Sequence, residues 1–183
     1  MKTNTSYVWM LMGLLMLGSA PTLYAHGDKK HGEIDPASLD SLYASYLEIQ
    51  HFLARDDFSG ARKASDTFIK KPIKLPKELS HSVKSKDLLK DFRAMSSAEN
   101  PESSREAFMG LTERMVVLLS EVEYTGKDSV LVFFCPMADG RKGARWIQDS
   151  RKISNPYFGK SMPTCGSMKS QIAPAPEKKS GKG

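Results

Sequence analysis

The stretch Asn100-Pro101-Glu102-Ser103, followed at helical spacing by Phe108, Leu111, Met115, Leu118, Leu119 and Val122, decides the fold. Asparagine is a preferred N-cap, and proline suits the first helical position because its missing N–H would be unpaired there anyway. The apolar residues behind it fall on one face of a helix, the cleanest amphipathic pattern in the chain. The same cap-and-proline signal stands at Asp35-Pro36, ahead of Leu39, Leu42, Tyr43, Tyr46, Leu47, Gln50 and Leu53. That spacing predicts a helix over 37–55. Between these two, Asp57 caps a shorter helix carrying Phe58, Ala61, Ala64 and Phe68, which Lys70-Lys71-Pro72 ends. After the connector Lys74-Leu75-Pro76, the residues Leu79, Val83, Leu88, Leu89, Phe92 and Met95 predict a third helix with less regular spacing. Four helices joined by short links favour an antiparallel bundle. The expected fold class is therefore mainly α, an antiparallel four-helix bundle followed by a small β-hairpin and loop segment.

Past Tyr124-Thr125-Gly126 the period changes. Val130 to Phe134 is a continuous β-branched and aromatic run, the pattern of a buried strand. Asp139-Gly140 and Gly143 supply turn chemistry, and Ala144 to Gln148 can return as a second strand. Asn155-Pro156 opens another turn, in which Gly159 can take a positive φ. Ala173-Pro174-Ala175-Pro176 followed by lysines has the composition of a disordered tail.

The first 25 residues have the pattern of a secretory leader. Lys2 gives the positive start, 7–17 is apolar, and cleavage is expected after Ala25. The apolar run is shorter than the roughly 20 residues a membrane span needs, so membrane association is expected only through an uncleaved leader. The organisation predicted is a leader over 1–25, a flexible segment over 26–34, helices over 35–126, a β and loop segment over 127–172 packed on them, and a tail over 173–183. The chain has 183 residues and net charge +6. The part after the leader is long enough for one domain with a core. Its basic excess sits largely at Lys29, Lys30, Lys178, Lys179 and Lys182, without interleaved aromatics, which argues against nucleic acid.

Both cysteines of the chain lie near its C-terminus, in Phe134-Cys135-Pro136-Met137 and Met162-Pro163-Thr164-Cys165-Gly166-Ser167-Met168. Two thiols with three thioethers form a soft donor set that suits copper(I) or silver(I) and not magnesium or calcium. Pro136 stiffens the first segment. The Asn155-Pro156-Tyr157-Phe158-Gly159 turn can bring Met162 and Cys165 back to Cys135 and Met137, with Met168 in reserve. Thioethers without a neighbouring histidine favour copper(I) over zinc. Blander readings stay open beside this one. In an oxidising compartment the two cysteines can form a disulfide, worth about 3 to 4 kcal/mol on the chain-entropy view. The methionines can be core filler, Tyr157 and Phe158 can serve only their turn, and Trp146 is expected in the core.

These motifs, Cys135-Pro136-Met137, Trp146-Ile147-Gln148, Asn155-Pro156-Tyr157-Phe158-Gly159, Met162 and Cys165-Gly166, resemble an exported bacterial domain family of unknown function. Its members occur alone or fused to adaptor subunits of CusB-type copper/silver efflux systems. A fainter likeness is to the heavy-metal-binding module of those adaptors, which opens with Cys-Pro-Met-His and closes with Cys-Pro-x-Cys-Gly-Met. Here Ala138 stands in place of its histidine and Met162 in place of its first closing cysteine, while Ser167 is an extra residue before Met168. The resemblance implies metal binding at Cys135, Met137, Met162 and Cys165, with copper as cofactor, copper(I) first and silver or zinc as alternatives. It implies no catalysis.

At the other end, cleavage after Ala25 would leave His26 at the N-terminus, where amine and imidazole together suit copper(II), with His31 able to join. His51 and His81 are expected at the surface. No nucleophile motif, Cys-x-x-Cys or phosphate-cradling glycine loop is present, so no enzyme is expected. The expected function is a periplasmic copper- or silver-binding protein that buffers the ion or passes it to an efflux adaptor. The alternative is a disulfide-stapled helical interaction module of the envelope that binds no metal.

Overall fold

A computed structural model describes residues 34–173 of the chain. Four helices come first: α1 (Pro36–Ala54), α2 (Phe58–Lys70), α3 (Ser85–Ser97) and α4 (Pro101–Glu121). Then follow β1 (Val130–Cys135), the single turn α5 (Ala138–Arg141), β2 (Ala144–Gln148), a 3-10 turn at Gly159–Ser161 and β3 (Ser167–Ala173).

Local chemistry sets the helix starts. The Asp35 carboxylate accepts from the Ser38 N–H at 3.0 Å and that of Asp57 from the Gly60 N–H at 2.7 Å. Asn100 and Ser103 exchange side-chain and backbone bonds in a reciprocal capping box. The third helix begins later than its apolar residues suggest. Leu79 and Val83 are buried, yet they belong to a tight irregular segment in which the Leu79 N–H donates to the Val83 carbonyl at 2.8 Å. An isolated bridge pairs Glu78 with Lys84 there, and helix α3 starts at Ser85 without a side-chain cap. Apolar spacing alone does not distinguish a helix from a loop that buries its side chains in the same core.

The expected mainly α, antiparallel four-helix bundle with an appended hairpin is overturned. The four helices are followed by a three-stranded antiparallel sheet of order β2-β1-β3, so sheet and helices build the core together. Helix α1 packs on α2, α2 on α3 and α3 on α4, but the series is not closed by α4 lying along α1. Instead both α1 and α4 pack against β2, and the first and last helices meet through long side chains. The Tyr46 hydroxyl lies 2.8 Å from Thr112 Oγ1, and the Tyr46 and Phe108 rings stack at 5.1 Å.

Strand β2 is an edge of the sheet, and edges leave backbone groups unpaired. Here two tyrosines satisfy two of them. The Ile147 N–H donates to the Tyr46 hydroxyl at 2.9 Å, and the Tyr157 hydroxyl donates to the Arg145 carbonyl. Burial pushes the Tyr46 and Tyr157 phenols above their ordinary range, so both stay protonated and able to donate. The core centres on Tyr43, Tyr46, Phe92, Phe108, Phe133 and Trp146, each essentially without solvent exposure. The Phe133 and Trp146 rings stack at 5.3 Å across β1 and β2. Among the described residues no helix is long and apolar enough to cross a membrane. The expected leader over 1–25, the segment 26–33 with His26 and His31, and the tail from 174 onward lie outside the described residues.

Candidate metal centre

Cys135 ends β1. Its side chain shares a sheet face with Phe133, because alternate residues of a strand point the same way, and it sits opposite Ala144 on β2. It is completely buried. The chain then leaves the sheet through Pro136 and Met137 and turns back through Asp139, Gly140 and Arg141, all at positive φ. Met137 is 40 % exposed.

The second sulfur-bearing segment is positioned by Asn155, which is buried. Its side-chain oxygen accepts from the Tyr157 N–H at 2.8 Å and the Phe158 N–H at 3.3 Å. Its amide nitrogen donates to the Cys165 carbonyl at 2.8 Å, and its backbone N–H donates to the Pro163 carbonyl at 3.0 Å. One residue thus both makes the turn and ties the returning chain to it. Gly166 then lets the chain pass close to the sheet. At its φ of +124° a side chain is strained, and a Cβ would lie 2.7 Å from the Trp146 ring and 2.8 Å from the Phe134 carbonyl.

The outcome is a meeting of the two thiols. Cys135 Sγ and Cys165 Sγ are 2.8 Å apart although 30 residues separate them, and both are free cysteines. A disulfide bond would need the sulfurs to close to about 2.05 Å. A metal held tetrahedrally at a metal–sulfur length of about 2.3 Å would need them to open to roughly 3.7 Å. Each lies within about 1 Å of the observed spacing. Cys165, half-buried and on a loop, is the less enclosed of the two.

The Cys165 thiol is held above its ordinary value, first by the hydrogen bond shared with Cys135 and then by burial; the Met137 N–H, which donates to it, pulls the other way. Met137 therefore touches the pair through its backbone. So does Met162, whose carbonyl accepts from the Cys165 N–H at 3.2 Å. Met162 is half-buried. Met168 lies on β3 opposite Phe133, 41 % exposed, and its sulfur accepts from the Arg151 guanidinium at 3.9 Å. Among the described residues no group of three or more His, Cys, Asp or Glu side chains converges.

Trp146 is fully buried, its indole N–H donating to Gln148 Oε1 at 2.8 Å. Tyr157 links the centre to the helices, its ring 6.0 Å from that of Phe108 and 6.3 Å from that of Trp146. His51 is half-exposed, 3.8 Å from Asp149, and His81 is exposed. The organising role of Asn155 is the feature that sequence reading assigned only to a turn. The signal for more was its place ten residues before a cysteine that has to reach a strand end.

No curated protein and no solved structure matches the chain significantly. Residues 42–127, from within α1 to just before β1, match the family described as Protein of unknown function (DUF3347), and the sulfur-bearing segments fall outside that stretch.

Proposed function

We propose that the chain is an exported, periplasmic protein that binds copper(I) or silver(I) through Cys135 and Cys165, with Met137 and Met162 as the thioether donors. The observation that carries this reading is the 2.8 Å approach of two free sulfurs, one supplied by the end of β1 and one by a loop. The donor chemistry supports it further. Thiolates and thioethers are soft ligands, and thioethers bind without losing a proton. Zinc is the weaker alternative, because it is ordinarily held by thiolate, imidazole or carboxylate. The role follows from access: Cys165 and Met162 are half-buried and Met137 is exposed, so an ion would be held at the rim and not enclosed. That suits buffering, or delivery to an efflux adaptor, and it calls for no catalytic group.

A chelator competition with the reduced protein tests the proposal. One equivalent of copper(I) should be taken up, and Cys135→Ser should weaken uptake at least a hundredfold. No uptake by the wild-type protein, or unchanged affinity in Cys135→Ser, would sink it.

A second reading, a disulfide-stapled envelope module without metal, draws on the same spacing, since a closure of under about 1 Å would join the sulfurs. Thiol counting on protein purified without reductant separates the two. Two blocked thiols that resist mild reduction favour the staple, and two titratable thiols favour the metal.

A further inference from the structure

The far side of the sheet from the helices is an open strand edge. Among the described residues β3 pairs only with β1, and its residues from Ser167 to Gln171 are all exposed. An exposed edge presents unpaired N–H and C=O groups and serves as a template for another extended chain. Two basic side chains, Arg151 and Lys169, reach this edge, and neither makes an ion pair among the described residues. Arg151 lies along β3, reaching Met168 at 3.9 Å and Gln171 Oε1 at 3.3 Å, while the Lys169 ammonium sits 5.7 Å above the Phe134 ring. Among the described residues Met137 and Met168 are the large hydrophobic side chains left exposed, and Met168 lies on β3 itself.

We propose that β3 is a docking edge for an acidic, extended segment of another protein, which adds to the sheet as a fourth strand beside Met168. Backbone pairing supplies the affinity, and carboxylates opposite Arg151 and Lys169 supply the selectivity. The functional meaning of the edge rests on the metal-binding reading above. A metal passing between two sulfur sites needs both donor sets within bonding reach at once, and β3 begins at Ser167, two residues from Cys165. Arg151 and Lys169, which make no ion pair among the described residues, disfavour the approach of a free metal cation and favour a negatively charged carrier.

The test uses the reduced, metal-free full chain and a nine-residue synthetic peptide that alternates glutamate with valine and holds one central methionine. The expected result is binding that weakens at least tenfold between about 50 mM and 300 mM salt, with amide shifts concentrated in Ser167–Gln171. The same peptide N-methylated on alternate backbone nitrogens should not bind, nor should one with lysine for glutamate. Combined Arg151→Glu and Lys169→Glu, both changes at exposed positions, should lower affinity at least tenfold. Equal binding of the N-methylated peptide, tighter binding of the same face to anionic phosphatidylglycerol vesicles, or no peptide binding at all would each overturn the proposal. Because no metal is present in the assay, failure here leaves the copper(I) competition intact, and failure of that competition leaves the peptide result intact.

Discussion

Asn155 and Cys165 are joined by a hydrogen bond of 2.8 Å from a buried side-chain amide to a backbone carbonyl. The other end of the same amide accepts two backbone N–H groups of the turn that follows it. The position of Cys165 relative to β1 is therefore set by the folding of a turn ten residues earlier, and the meeting of the two sulfurs depends on one polar side chain that makes three hydrogen bonds.

Replacing that side chain should loosen the pair. Asn155→Ala leaves the Tyr157 and Phe158 N–H groups and the Cys165 carbonyl without their partner, at a cost of about 2 to 3 kcal/mol in urea unfolding. Alkylation of Cys165 should be severalfold faster. Asn155→Asp is the informative companion, because it keeps the acceptor for the turn and replaces the donor to Cys165 with an oxygen that faces the Cys165 carbonyl. It should preserve the turn yet still raise the alkylation rate. Equal rates in all three proteins would show that Cys165 is placed by something else.

Gly166 gives a steric version of the same test. Gly166→Ala adds a methyl group where the Trp146 ring and the Phe134 carbonyl already stand, and does so at positive φ. The neighbours are a fully buried indole and a strand backbone, neither of which can yield cheaply. A loss of about 2 to 4 kcal/mol is expected, together with a change in Trp146 fluorescence and weaker copper(I) uptake as Cys165 is pushed away from Cys135.

Much of this architecture was legible in residue chemistry, and its gaps have physical causes. Asp35, Asp57 and Asn100 are caps with local partners, so their helices could be read from a few neighbouring residues. β1 is buried almost throughout, so its run of β-branched and aromatic residues announces it. β3 could not be read this way. Ser167 to Gln171 bury no side chain, and the strand exists because β1 offers an open edge 30-odd residues earlier. That unseen strand, with β2 set between α1 and α4, is what turns the expected bundle into a mixed fold. The approach of the two cysteines was suggested by the Asn155 turn, whereas the amide holding Cys165 became visible only with the three-dimensional arrangement.

Tyr46 should matter to stability and not to metal. Its hydroxyl is the partner of the Ile147 N–H on the β2 edge and lies against Thr112 of α4, all of it buried. Tyr46→Phe keeps the ring packing and strands a buried N–H, so about 1 to 3 kcal/mol should be lost. Tyr43→Phe, which loses one bond to the Ser129 carbonyl, should cost about 1 kcal/mol. Copper(I) affinity should be unchanged in both. A fall in affinity for Tyr46→Phe beyond twofold would mean that the β2 edge and the thiol pair are coupled through the sheet.

The Cys165 thiol should show its environment in a pH profile. The hydrogen bond with Cys135 and partial burial favour the protonated form and outweigh the Met137 N–H. In iodoacetamide reaction the midpoint for Cys165 should therefore lie above that of a free cysteine, about 8.5. Cys135→Ala removes the largest cause and should bring the midpoint down. The sign for stability follows. Below the free-thiol value the folded and unfolded chains both hold the proton, and the stabilisation is fully present. As pH rises, the unfolded chain gives up its proton first, so the stabilisation declines and is lost once the folded thiol ionises too. Urea midpoints in reducing buffer should accordingly fall above about pH 8.5, and fall less in Cys135→Ala. Metal uptake should run the opposite way, strengthening over the same interval, because a thiol must shed its proton to bind. A wild-type midpoint at or below that of free cysteine would instead mean that the pocket stabilises the thiolate. Metal affinity would then be nearly independent of pH above neutrality.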